Sequence, residues 1–254
     1  MNGQVAVENL NKRFFSDSGP LEVLSQININ ISGGEFISLV GHSGCGKSTL
    51  LRILAGLETE YEGVARLDGQ PILKPSLEKG FVFQDHRLFP WLTVAENIGY
   101  GLPKGRDKAA RVAELIELVG LTGFEKHRPS QLSGGMAQRA AIARALGTSP
   151  KVLLLDEPFG ALDAMTRITM QEEILKIWEK EKVTVVLVTH DIDEAVYLSN
   201  EVLVIAGRPG QIVSRVEVSL GRPRDRLSSD FNHIKRKIYR YFFTEVEPPF
   251  AFSI

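Results

Sequence analysis

The stretch Gly41–Thr49, GHSGCGKST, limits what this chain can fold into more than any other. It fits the pattern of Gly, four free positions, Gly, Lys and then Ser or Thr, with Gly41, Gly46, Lys47 and Ser48 in the fixed places and His42, Ser43, Gly44 and Cys45 between them. A triphosphate packs several negative charges into a small volume, so its site needs many short donors and few bulky side chains. Glycines allow a tight turn whose backbone N–H groups converge on the phosphates, and a following helix adds its positive end. Lys47 would reach the β and γ phosphates as a point charge, and Ser48 would offer a hydroxyl to Mg²⁺.

The surroundings supply the order that such a loop requires. Glu35–Val40, EFISLV, reads as a buried strand, and STLLRILAGL (48–57) places Leu50, Leu51, Ile53, Leu54 and Leu57 at helical spacing. A merely flexible glycine turn would not need that strand before it and that helix after it. Cys45 is the single cysteine, so no internal disulfide can form. It is read as a small loop residue, with a redox switch beside the phosphates as the alternative.

At 254 residues the chain can bury a large core, and its 43% hydrophobic and 24% charged residues are those of a globular protein. A formal net charge of -1 gives no bulk attraction to nucleic acid or membrane. No apolar run approaches the ~20 residues that span a bilayer, and MNGQVAVENL lacks a secretory pattern, so a reducing, ATP-containing cytosol is expected.

Taken in order, Gln4–Leu10 alternates weakly and Val23–Ile31 strongly, with Ile27, Ile29 and Ile31 opposite Gln26, Asn28 and Asn30; these predict antiparallel strands with one wet face. Between them stand Phe14 and Phe15, two adjacent aromatics that cannot share one strand face; packing into the core is the expectation for either, and stacking on a flat ligand the alternative. Residues 63–70 suggest a strand and turn, and GFVFQ (80–84) a buried strand ending at Gln84. Thr93 and Glu96 form a capping-box pair at the start of TVAENIGYGL. Val112, Leu115, Ile116 and Val119 then predict a helix over 107–119 that stops at Gly120.

Further on, Val152–Leu155 is wholly apolar and closes on Asp156-Glu157-Pro158, and Val183–Val188 closes on Thr189-His190-Asp191. Apolar runs between helices predict a parallel sheet buried on both faces, with ligands at its C-terminal edge. Gln84, Asp156, Glu157 and His190 all fall at that edge. Asp156 suits a carboxylate that holds Mg²⁺, and Glu157 a second carboxylate that activates water for attack on the γ-phosphate. A helix start or turn would also explain Asp-Glu, and a structural hydrogen bond would explain a lone histidine. Ser133-Gly134-Gly135 precedes the alanine-rich run MAQRAAIARAL and is either a plain helix start or a second anion cradle, which makes most sense if it serves a nucleotide held by another copy.

Together, GHSGCGKST, Gln84, LSGGMAQRAAIARAL, VLLLDEP, GALDA and THD resemble, over residues 1–215, the nucleotide-binding subunit of ABC transporters. The resemblance implies an α/β P-loop NTPase fold: a RecA-like core with a mostly parallel sheet, an N-terminal antiparallel β subdomain and an inserted α-helical subdomain. It divides the chain into a core of 1–85 and 149–220, a helical subdomain of 86–148 and a basic, aromatic tail of 221–254. It also implies that ATP and Mg²⁺ are bound by Gly41–Thr49, that Ser48, Gln84 and Asp156 serve the metal, and that Glu157 is the catalytic base with Gln84, Lys47 and His190 acting beside it. Ser133–Gly135 and Asp163 would face a nucleotide across a head-to-tail homodimer, or a pair with a similar ATPase, and Phe14 would stack on adenine.

Transmembrane permease subunits would dock by a groove near Phe89, Pro90 and Trp91, an extracytoplasmic binding protein would act indirectly, and the subunit would sit on the cytoplasmic face of the inner membrane. The texture from LFPWLTVAENI to GRPRDR is most similar to importers of nitrate, aliphatic sulfonates or taurine. No nucleic-acid partner is expected. The alternative, a soluble relative acting on nucleic acid or ribosomes, usually carries two cassettes or a coiled-coil insertion, and this chain shows neither. Residues 222–243, rich in Arg, Lys, Tyr and Phe, read as a solvated helix with one packed face, or as a contact with the inner leaflet or a transporter subunit.

Overall fold

The computed structural model describes residues 3–16, 19–102, 105, 107–160 and 162–242. The chain opens with a long antiparallel hairpin, β1 (Val5–Ser16) and β2 (Gly19–Ile31). After β3 (Phe36–Val40) and α1 (Lys47–Ala55), it returns through β4 (Glu62–Leu67) and β5 (Gln70–Pro71) to complete a four-stranded sheet of order β2-β1-β4-β5. Asp68 and Gly69, with φ of 49° and 77°, make the tight turn between β4 and β5, since positive φ at both central residues lets a two-residue loop match the right-handed twist of the strands.

The second sheet has the order β10-β9-β3-β8-β7-β6, built from β6 (Lys79–Val82), β7 (Val152–Asp156), β8 (Thr184–Thr189), β9 (Glu201–Ala206) and β10 (Gln211–Glu217). Every pair in it is parallel except β9 with β10. Because β3, β6, β7 and β8 run the same way, their C-terminal ends deliver Gly41, Gln84, Glu157 and His190 to one edge.

The apolar strands fill two cores at once. Phe36, Val40, Leu153, Leu155, Val185 and Leu187 face one core, and Ile37, Leu39, Val152, Leu154, Val186 and Val188 face the other, so the period-2 pleat buries both faces. Each such side chain, fully buried, contributes roughly 1.5–3 kcal/mol.

Between β6 and β7 lie α2 (Val94–Ile98), α3 (Asp107–Leu118) and α4 (Gly134–Leu146), with a short 3₁₀ turn at Pro129–Gln131. The expected capping box is present: Thr93 Oγ1 accepts from Glu96 N while Glu96 Oε2 accepts from Thr93 N. Then α5 (Ala164–Glu181) and α6 (Ile192–Leu198) flank β8, and α7 (Ser229–Tyr239) follows the second sheet. Phe231 and Ile238 are its buried anchors, which gives the tail helix one packed face. Residues 243–254, the end of the basic, aromatic tail, lie outside the described residues.

Some expectations needed correction. The hairpin outruns the alternating segments at its turn end, past Leu10 in β1 and before Val23 in β2, because register shifts between Val7 and Arg13, with Asn9 at φ 49° and Gln26 at φ 51°, break the period without ending the pairing. Neither Phe14 nor Phe15 packs into the core; they are 38% and 84% exposed. Lys12 takes the interior place instead, at 2% exposure, held by Glu58 Oε1 at 3.0 Å and by the Glu60 carbonyl. The third apolar run begins at Thr184 rather than Val183, because the Thr184 hydroxyl is bonded inside, accepting from Gly34 N and donating to Gly3 O.

Candidate functional site

The loop Gly41–Thr49 joins β3 to α1, as the sequence predicts. Gly41 cannot be replaced, since a Cβ there would lie 2.3 Å from the Ile205 carbonyl oxygen. Gly46 turns the chain into the helix at φ +94° and leaves no room for a Cβ against Leu24. Lys47 is buried, and its Nζ donates to the loop's own carbonyls at Gly41 (2.7 Å) and His42 (3.0 Å). His42, Ser43 and Gly44 are exposed, Cys45 is buried, and Arg208 braces the loop by donating to Ser43 O at 3.2 Å.

Ser48 Oγ donates to Asp156 Oδ1 at 2.7 Å across the sheet edge. Asp156 is 6% exposed, and burial pushes its carboxyl above the ordinary range despite the Ser48 hydrogen bond. A hydroxyl and a buried carboxylate side by side suit Mg²⁺, which takes one or two protein ligands and fills its shell with water and phosphate oxygens. Among the described residues no three His, Cys, Asp or Glu side chains form a cage, so a cation held by protein ligands alone does not fit.

Glu157 stands one residue beyond, at φ 45°, with its N–H donating to Val188 O at 3.0 Å. Its Oε2 accepts from Gln84 Nε2 at 3.3 Å and lies 3.3 Å from His190 Nδ1. Three side chains from the ends of β6, β7 and β8 therefore converge on one point next to the Ser48–Asp156 pair. A left-handed backbone at a non-glycine residue costs about 1–3 kcal/mol, and here it aims the carboxylate at both partners.

Other predicted residues are placed elsewhere. Ser133 caps α4, accepting from Met136 N at 3.3 Å, so it leads Gly134 and Gly135 into the first turn. Ser133 and Gly134 face solvent and touch none of the Glu157 cluster within the chain. Asp163 caps α5: its carboxylate accepts from Met165 N, Thr166 N and, at 2.6 Å, Thr166 Oγ1. Phe14 lies under Lys12, whose Nζ sits 4.3 Å from the ring centroid, and Lys12 pairs in register with Leu24 beside Gly46. Phe15 turns the other way, lining a separate cavity with Asn11, Arg13 and Glu60.

A groove of about 1090 Å³ opens between α2 and α3, lined by Trp91, Leu92, Tyr100, Val112 and Ile116, with Glu96 and Glu125 among its charged residues. Trp91 is 67% exposed, and Phe89 packs against both Trp91 and Tyr100. Asn97, fully buried, fastens this loop by bonding Phe89 N, Phe89 O, Leu92 O and Thr93 O. Sequence reasoning missed Asn97, because an asparagine inside a helix announces no such role.

Comparison with known proteins fits this geometry. The sequence profile of the ABC transporter family matches residues 24–160. The chain is 50% identical over 239 residues to the aliphatic sulfonates import ATP-binding protein SsuB of Bacillus anthracis, covering 94% of this chain and 95% of that one. It is also 50% identical over 231 residues to the bicarbonate transport ATP-binding protein CmpC of Synechocystis, covering 88% of this chain and 35% of that longer protein. The dimeric post-hydrolysis structure of the ATP-binding cassette MJ0796, bound to ADP and Pi, superposes with a TM-score of 0.75 at 32% identity, covering 85% of this chain and all of the other. A parallel sheet that feeds one phosphate loop and a ring of polar strand ends defines a P-loop nucleotide-hydrolysing fold. The chain belongs to the ABC transporter family, among its ATP-binding subunits.

Proposed function

We propose that this chain is the ATP-hydrolysing subunit of an importer for a small anion, an aliphatic sulfonate, taurine or nitrate. The observation that carries the chemistry is the meeting of Gln84, Glu157 and His190 beside the Ser48–Asp156 pair. The loop N–H groups and Lys47 hold the β and γ phosphates. Ser48 and Asp156, with Gln84, would hold Mg²⁺, which would supply positive charge to neutralise the phosphate oxygens. Glu157 takes a proton from a water aligned by Gln84; the water oxygen bonds to the γ-phosphorus as the bond to the β–γ bridging oxygen breaks and ADP leaves. His190, which meets the same Glu157 oxygen as Gln84, donates to the γ-phosphate, and Phe14 offers its exposed ring to adenine.

Two copies pair head to tail, because the exposed Ser133–Gly134 turn at the start of α4 has no nucleotide to meet in its own chain. The Trp91 groove receives a membrane permease subunit at the cytoplasmic face of the membrane, and an extracytoplasmic binding protein delivers the anion to that permease. The relatives' names support a small anion as cargo, one naming aliphatic sulfonates and another bicarbonate, while taurine and nitrate rest on the sequence resemblance. Lys47→Ala should weaken nucleotide binding itself by ten-fold or more, on the order of 1.4 kcal/mol, as titration with a fluorescent ATP analogue would read. Reconstituted with its permease and binding protein, the subunit should hydrolyse ATP faster when sulfonate, taurine or nitrate is added. No association with any permease would reject the transport role.

A further inference from the structure

A buried polar cluster stands behind His190, and no step of the proposed hydrolysis uses it. Glu194, in the first turn of α6, is 5% exposed. Its Oε2 accepts a 2.6 Å hydrogen bond from Thr189 Oγ1, and its Oε1 accepts one of 3.1 Å from Gln171 Nε2. Thr189 Oγ1 in turn accepts from Asp191 N at 3.0 Å. The residues on either side of His190 are thus tied through one hydroxyl to one carboxylate. Arg167 stands 3.6 Å from Asp191 Oδ2 and 3.8 Å from Glu194 Oε1. Gln171 and Arg167 both belong to α5, the helix that Asp163 caps, and Arg226 donates to Gln171 Oε1 from the segment before α7.

Such an arrangement is costly to build. A buried carboxylate loses hydration, and burial pushes the Glu194 carboxyl above its ordinary range even with the Thr189 bond opposing. Simple packing against β8 would be served as well by an apolar side chain. What an apolar residue could not do is fix the direction of the Thr189 hydroxyl, and with it the turn that aims His190 at Glu157.

We infer that Glu194 is a positioning residue: through Thr189 it sets the turn that carries His190, and through Gln171 and Arg167 it joins that turn to the Asp163-capped helix α5. The inference rests on His190 acting at the γ-phosphate, as proposed above. It makes His190 and α5 one mechanical unit, so a displacement of the Asp163 end of α5 reaches the His190 ring.

The test is turnover, nucleotide affinity and melting temperature of the full-length chain for Thr189→Val, Thr189→Ser and His190→Ala. Valine keeps the shape of threonine and removes the hydroxyl; serine keeps the hydroxyl. Thr189→Val should lower kcat about ten-fold with KM and ATP affinity within about two-fold of wild type, and Thr189→Ser should restore most of the rate. Should valine at 189 compromise folding, Glu194→Gln, which keeps the size and one acceptor, should show the same split between kcat and KM. Wild-type turnover in Thr189→Val beside an inactive His190→Ala overturns the role of Glu194 and leaves the site standing. Equal losses in the valine and serine variants, or a fall in affinity matching that in rate, overturn it as well. Normal turnover in His190→Ala overturns the site reading on which it rests.

Discussion

At the scale of single residues, the buried Lys12 ties the N-terminal hairpin to the segment that follows α1, through Glu58 and the Glu60 carbonyl. Burial alone would raise the carboxyl of Glu58, but the hydrogen bonds from Lys12 and from Glu60 N outweigh it, and the group lies below its ordinary 4.5. A carboxyl lowered by folding contributes stability that is present above pH 4.5 and lost as pH falls through the lower folded value. Lys12→Met should therefore unfold more easily than wild type at neutral pH, by about 1–3 kcal/mol in chemical denaturation, with the gap narrowing on acidification below the unfolded carboxylate value. It should also loosen ATP binding, as titration with a fluorescent ATP analogue would read, if the Phe14 ring, now without its ammonium, stacks on adenine.

Elements set the two halves of the ATP site, and the two glycines at the head of α4 separate folding from assembly. A Cβ on Gly135 would lie 2.7 Å from Thr166 Cγ2 in α5, whereas one on Gly134 would meet nothing within 4 Å. Gly135→Ala should push α4 away from α5 and cost about 1–3 kcal/mol of stability, read by chemical denaturation. Gly134→Ala should melt within a degree or two of wild type, since an exposed first-turn alanine is worth only a few tenths of a kcal/mol, and yet lose turnover, because its methyl group would stand where the neighbour's γ-phosphate is met. Unchanged turnover in Gly134→Ala would count against that neighbour.

Much at this scale could be read from the chain. The phosphate loop is local chemistry, and the parallel strands end where their apolar runs end, so the amino-acid order alone brings Gln84, Glu157 and His190 to one edge. The capping box at Thr93 is equally local. What could not be read depends on distant packing. Glu194 looks like an ordinary charged residue in a helix until Gln171, on another helix, is seen to meet it. Lys12 resembles a solvated strand lysine until Glu58 closes over it, and the hairpin's bulges hide the length of β1 because they reset the period on which the prediction relies.

Across the whole molecule, the head of α4 and the Trp91 groove are two exposed features among the described residues that the proposed assembly uses. In the function proposed above, the first is where a second copy pairs and the second is where a permease docks. The groove's three carboxylates, Glu96, Glu117 and Glu125, outnumber its one lysine, Lys108, and so favour a partner segment that offers an apolar anchor together with a basic residue.

The central claim is that one copy binds ATP, that Glu157 removes the proton, and that a second copy completes the site. Glu157→Gln keeps the shape and removes the base, so its oligomeric state with Mg²⁺ and ATP, followed by sedimentation while phosphate release is recorded, tests all three. The expected result is an ATP-dependent dimer that holds intact ATP and releases no phosphate. A variant that hydrolyses ATP at the wild-type rate, or that binds ATP and stays monomeric, would contradict it.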